Sequence, residues 1–369
     1  MDNANKRIFG LDLMRTTAIL MVVIGHCLWI FPEGNSFVHQ FLRLLSFLGV
    51  EVFFVLSGFL IGNILYKLFT KEQFTIKDVF SFLKRRWFRT LPNYYLVLLI
   101  NLALVSYFGY QVSNGWQYFF FLQNFSSSMS PFFPESWSLS VEEFAYLILS
   151  LFLFVTSLGF KKTAPKKVYF IAVVILVLIA IGFKINYSLT TNETSLDYWN
   201  KSLKMVVIYR LDSIFIGVIA SWISINYAQH WVQYRKILLY FGIPICMFLF
   251  YGLGYFNLNI DQNPFFLNVI YLPLLSIGIA CFLPFLSTWK EEKSFFNQSI
   301  TFVSKISYSL YLLHYSVILY VMKYFFVEKD DALGQLFLFT MVYLLVTFVF
   351  SALLYRFYEK PIMDFRDKN

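Results

Sequence analysis

Leu11 to His26 reads LDLMRTTAILMVVIGH, an apolar run that a bilayer would accept, except that it carries Asp12, Arg15 and His26. The rest of the chain has the same character. Of 369 residues, 59% are hydrophobic and only 14% are charged, where a soluble domain has about 25% charged residues. Such a chain cannot hide its apolar surface inside a water-soluble fold, so the sequence predicts an integral membrane protein. Its 46 Phe and 25 Tyr suit lipid-facing helices and interfacial belts.

A helix needs about 20 apolar residues to cross the hydrocarbon layer. Ten segments meet this, near 10–30, 38–66, 92–109, 136–159, 167–184, 204–226, 236–256, 265–287, 302–326 and 334–357. The expected fold is therefore an all-α membrane bundle of about ten helices, a single domain over 1–369 with no fused extracytoplasmic domain. The apolar stretch 116–125, WQYFFFLQNF, is too short to span and reads as re-entrant or interfacial. The first run is too long for a signal-peptide core, and no small-residue cleavage site follows it. It is expected to stay as a span.

Loop charge predicts orientation. With the N-terminus inside, the inner connections hold 22 Lys and Arg and the outer ones 4, while Arg15, Arg43, Arg210 and Lys323 lie within spans. That asymmetry predicts cytoplasmic N- and C-termini. It also accounts for much of the net charge of +9 without a nucleic-acid partner, because the bases sit on short loops rather than one stripe. Cys27, Cys246 and Cys281 lie in apolar runs without CxxC spacing and read as packed thiols, neither disulfides nor a metal site. His39 and His230 are expected in loops.

The ionisable residues inside spans are the candidates for chemistry. Arg15 and His26, eleven residues apart, differ by only about 20° around a helix and by roughly 16 Å along it. Asp12 sits near the same stripe. Such a stripe should face a protein interior or a wet cavity; the plain alternative is an Asp12–Arg15 pair at the interface with His26 snorkelling outward. In ESWSLSVEEFAYL, Glu142 falls at the depth of His26, both about 6–9 Å below the outer surface. The two are expected to hydrogen-bond, unless the Glu142–Glu143 pair is simply wetted from outside.

Arg86 and Arg89, in KRRWFRTLP, share a helical face and could clamp phosphates. Positive-inside topology with anionic-lipid contact would explain them equally. GVEVFFVLSGFLIG places Glu51 at mid-depth beside the small residues Ser57 and Gly58. ISYSLYLLHYSV has a polar face of Ser307, Tyr308, Tyr311 and His314. In YRLDSIFIGV, Arg210 and Asp212 lie on different faces and need not pair. A satisfied packing network is the bland reading for each.

Taken in order, LDLMRTTAILMVVIGH, FFVLSGFLIG, RRWFRTLP, SWSLSVEEFAYL, YRLDSIFIGV, ISYSLYLLHYS and the terminal YEKP resemble the acyltransferase 3 family of membrane O-acyltransferases. The Arg-x10-His of Arg15 and His26 and the Arg-x-x-Arg of Arg86 and Arg89 are its sharpest markers. The resemblance implies transfer of an acyl group, commonly acetyl, from cytoplasmic acyl-CoA to a sugar hydroxyl of a surface glycan or lipid-linked saccharide, in a bacterial cytoplasmic membrane. It marks Arg15, His26, Arg86, Arg89 and Glu142 as functional. On that basis Arg86, Arg89 and Arg15 are expected to bind acetyl-CoA and His26 to act as base or acyl carrier, with Glu142 orienting it and Arg15, on the same stripe, also counted as catalytic. No metal is expected. Asp12, Ser57, Arg210, Tyr308, Tyr311 and His314 are expected at the substrate or cavity wall. The competing reading is a transporter or flippase using these charges as a substrate path.

Overall fold

The computed structural model describes residues 7–32, 37–160, 164–193, 195–252, 259–289, 295–327 and 332–368. Among these residues the regular structure is helical and no strand occurs. Physics leaves little choice: in lipid, backbone N–H and C=O groups must be satisfied within the segment, and an apolar helix does this. Nine helices among the described residues are long and apolar enough to cross a membrane: α1 (Phe9–Ile30), α2 (Phe37–Phe69), α3 (Ile76–Tyr107), α4 (Ser136–Gly159), α5 (Pro165–Thr190), α7 (Arg235–Gly252), α8 (Phe266–Leu286), α9 (Asn297–Phe326) and α10 (Leu333–Asp367). The protein is a multi-pass integral membrane protein.

The tenth expected span, near 204–226, takes a different form. Helix α6 (Leu211–Asn226) has only 16 residues and is preceded by a π-turn at Asn200–Lys204 and a 3-10 turn at Val207–Tyr209. At 1.5 Å per residue it rises about 24 Å, less than the hydrocarbon thickness. The lost turns have a visible cause in the 116–125 segment. After a short helix at Trp116–Phe119 that segment enters the protein, and Asn124 Nδ2 donates to the carbonyls of Trp137 (2.9 Å) and Met205 (2.6 Å). The Asn124 and Phe125 carbonyls in turn accept from the backbone N–H of Val207 and Ile208. These bonds replace the helical ladder that residues 205–208 would otherwise make.

Helix α2 is the central post, packed along α1 on one side and α6 on the other. The α2–α6 crossing is close because glycines face each other's backbones. A Cβ on Gly58 would lie 1.9 Å from the Ile214 carbonyl oxygen, and one on Gly217 would lie 2.2 Å from that of Val55. Helix association in membranes relies on such close approach, since lipid offers no hydrophobic drive between helices. Two ion pairs are sealed in this core: Lys184 of α5 with Asp212 of α6 at 2.6 Å, and Arg210, just before α6, with Glu51 of α2. All four side chains are fully buried.

Candidate active site

One cavity collects most of the polar residues singled out in the sequence. Its wall is formed by α1, α2, α3, α4 and α9 and includes Arg15, Ser57, Arg86, Arg89, Glu142, Tyr308 and Tyr311. The α-helical period explains the local part of this convergence. Arg86 and Arg89 share a face of α3, and Glu142 and Tyr146 share a face of α4.

Three guanidiniums point into this space with little to neutralise them. Asp12 does not serve Arg15 first: it accepts from Arg7 Nε at 2.8 Å and Nη2 at 2.5 Å, and from Ser304 Oγ at 2.7 Å. Arg15 Nη1 stands 3.7 Å from Asp12 and 3.5 Å from Ser304 Oγ. Arg7 lies outside the spans, and its guanidinium pKa is raised, chiefly by the hydrogen bond to Asp12. Neither Arg86 nor Arg89 forms an ion pair with a carboxylate among the described residues. The Arg86 guanidinium carbon instead lies 5.9 Å from the ring centres of Phe82 and Tyr146.

The acidic side of the cavity is Glu142. Its Oε1 accepts from Ser57 Oγ at 2.5 Å and from the hydroxyl of Tyr146, and the Ser57 and Tyr146 oxygens are 2.6 Å apart. Glu143 turns away and accepts from Thr90 Oγ1 at 2.7 Å. Tyr308 donates to the Thr90 carbonyl at 2.8 Å. Tyr311 shares a hydrogen bond with Ser138 Oγ at 2.5 Å and donates to the Glu135 carbonyl at 3.0 Å.

His26 does not bond Glu142. Its Nδ1 lies 2.7 Å from Nε2 of His314, so the expected carboxylate–imidazole pair is replaced by a histidine pair across α1 and α9. Helix α9 becomes a π-helix at His314–Leu319, and the wider turn redirects the residues that follow. His26 and His314 are not on the wall of the Arg-lined cavity; Tyr311 is shared, lining it while its ring centre sits 5.8 Å from that of His314. Arg210 is also off this wall, locked to Glu51, so its expected place there is corrected.

Set beside known proteins, the chain matches a model of an acyltransferase domain over residues 8–356. The chain belongs to this acyltransferase family. It is similar to the O-acetyltransferase OatA of Staphylococcus aureus strain NCTC 8325, at 26% identity over 380 residues, covering 96% of this chain and 57% of the relative. A second S. aureus protein, from strain COL and provisionally named an O-acetyltransferase, is 28% identical over 378 residues, covering 95% of this chain and 56% of that protein. The chain thus spans little more than half the length of the curated relatives it matches. No solved structure matches it.

Within this acyltransferase domain, several residues at or near the site carry little or no signal in the sequence. Tyr146 could have been found, since it lies one helical turn after Glu142. Ser138, Thr90 and Ser304 carry no signal in one sequence, because their partners are remote. In the sequence Lys204 reads only as a loop charge. It lies beside the ring of Phe47, 4.8 Å from its centre, and 5.9 Å from that of Trp137. Burial pushes its pKa down to about 8, Glu51 opposes this and Arg210 adds to it. Glu135, just before α4, accepts from the backbone N–H of Ser316 at 3.1 Å and from its hydroxyl at 2.5 Å. Burial raises its pKa to about 7.

Proposed function

We propose that this protein transfers an acetyl group from cytoplasmic acetyl-CoA to a sugar hydroxyl of a cell-surface glycan or lipid-linked saccharide, in a bacterial cytoplasmic membrane. The observation that carries this reading is the convergence of Arg15, Arg86 and Arg89 on one cavity whose wall, among the described residues, carries a single carboxylate, Glu142. Three like charges gathered in a confined space repel one another and favour a polyanionic ligand. Phosphate groups suit planar guanidiniums, which bind them with paired hydrogen bonds.

In this reading the phosphates of the donor rest on the arginines, and the thioester arm reaches past Tyr311 and Phe53 toward the His26 end of α1. The rise from Arg15 to His26 is about 16 Å, which a flexible arm can bridge. His26 then accepts the proton of the acceptor hydroxyl as that oxygen attacks the thioester carbonyl. The names of the similar proteins, which are O-acetyltransferases, support the acyl group and the oxygen acceptor.

The test is transfer of label from radioactive acetyl-CoA to glycan by membranes containing the full chain. Wild type should move label, and His26→Ala should not while remaining folded in the membrane. Label crossing the membrane without appearing on glycan would favour the transporter reading. Full transfer by His26→Ala would remove the imidazole from the chemistry.

A further inference from the structure

His26 and His314 form a directed chain rather than a symmetric pair. His314 is fully buried, and its Nδ1 lies 2.7 Å from the carbonyl oxygen of Tyr311. A carbonyl oxygen only accepts, so this Nδ1 carries a proton. A neutral imidazole has one N–H, so Nε2 of His314 is left with a lone pair. His26 Nδ1 lies 2.7 Å from that nitrogen and must therefore donate to it. The other nitrogen of His26, Nε2, is then unprotonated, and it makes no hydrogen bond among the described residues. Neither ring bonds a carboxylate, so nothing in the pair compensates a resting positive charge, and both rings are read as neutral.

The surroundings hold this order in place. The ring planes are 16° apart, and the Tyr315 ring centre packs 4.9 Å from that of His26. The hydroxyl of Tyr311, whose carbonyl anchors the chain, is itself fixed by Ser138 and Glu135. The hydroxyl of Tyr343 donates to the His314 carbonyl at 3.2 Å, pinning the start of the π-helix. His26 remains half-buried, so the ring is not sealed off as His314 is.

We propose that His314 is a positioning residue that sets the tautomer of His26, making Nε2 the basic nitrogen. This rests on the acyl-transfer reading above. The hydroxyl oxygen of the acceptor bonds to the thioester carbonyl carbon and gives its proton to Nε2. The C–S bond then breaks, and the same proton passes from Nε2 to the departing thiolate. Through both steps Nδ1–H stays on His26 and donates to His314. An orienting partner of this kind does for the base what the buried carboxylate does in a serine hydrolase triad, without itself changing charge.

The chain holds only four histidines, so full-length protein labelled with 15N-histidine gives few imidazole signals, assignable with His26→Ala, His39→Ala and His230→Ala. The expected spectrum shows both His26 and His314 protonated at Nδ1 and bare at Nε2. In His314→Phe, His26 should move toward the Nε2–H form that free imidazole favours, and kcat should fall by about 10²-fold or more with the KM for acetyl-CoA unchanged. His314→Gln can still accept from His26 and should recover part of the loss. An Nε2-protonated His26 in wild type overturns the assignment whether or not any variant folds. So does a His26 signal unmoved by His314→Phe. The expected tautomers in a wild type that moves no label would support the assignment and defeat the acyl-transfer reading instead.

Discussion

Ser57 of α2 donates to Glu142 Oε1 of α4 at 2.5 Å, and Tyr146 converges on the same oxygen. Two donors on one oxygen hold this carboxylate on the cavity wall, facing three arginines. Removing that charge should strengthen binding of a polyanion. Glu142→Gln is therefore expected to lower the Kd for coenzyme A severalfold, the scale of one partly screened charge pair worth about 1 kcal/mol. Ser57→Ala keeps the charge and should leave Kd within about twofold while lowering the melting temperature, since it deletes a hydrogen bond to a charged group worth about 1.5–3 kcal/mol. Calorimetric titration with coenzyme A decides; a weaker Kd in Glu142→Gln would place the phosphates elsewhere.

Arg86 and Arg89 have no carboxylate partner among the described residues, so their loss should act on the ligand rather than on the fold. Arg86→Ala combined with Arg89→Ala is expected to raise the KM for acetyl-CoA by about tenfold or more, the effect of losing about 1.4 kcal/mol of binding, with kcat little changed. The KM of the double variant should also depend less on salt than that of wild type. An unchanged KM would assign this pair to anionic lipid headgroups.

The sequence carried the local half of this structure. Apolar runs marked the nine long helices, because the bilayer demands length and hydropathy and little else. Helical spacing put Arg86 beside Arg89 and separated Glu142 from Glu143. The remainder depends on distance. The partner of His26 lies 288 positions away, and that of Asp212 is Lys184, on another helix. Equal depth suggested Glu142 for His26, but depth says nothing about direction around the bundle. The π-turn at His314 breaks the 3.6-residue period on which face assignments rest. Helix α6 fell short of a full span because Asn124, in a segment read as interfacial, takes the hydrogen bonds of its first turns.

Lys204 gives a pH dependence with a definite sign. Burial lowers its pKa from 10.5 to about 8, so between those values the unfolded chain binds more protons than the folded one. Stability therefore rises with pH across that window and is flat with respect to this group below it. Lys204→Met removes the group. The variant is expected to melt above wild type at pH 7, and the gap should shrink as pH climbs from 8 to 10. Melting curves in detergent at several pH values measure this; a gap that widens with pH would mean the ammonium is stabilised where it lies.

The α2–α6 crossing makes an opposite pair of glycine predictions. A methyl on Gly58 would meet the Ile214 carbonyl oxygen at 1.9 Å, a backbone atom that cannot swing aside. Gly58→Ala must push the helices apart, and overpacking of this kind costs about 1–3 kcal/mol. The same displacement would disturb the cavity, since Ser57 precedes Gly58. Gly182 on α5 has nothing within 4 Å of the added carbon. There the helix gains from replacing glycine, by about 0.5–1 kcal/mol. Gly58→Ala should thus lower the melting temperature and the yield of monodisperse protein, while Gly182→Ala should leave both unchanged or raise them. Equal behaviour of the two variants would show that the crossing is looser than its backbone contacts require.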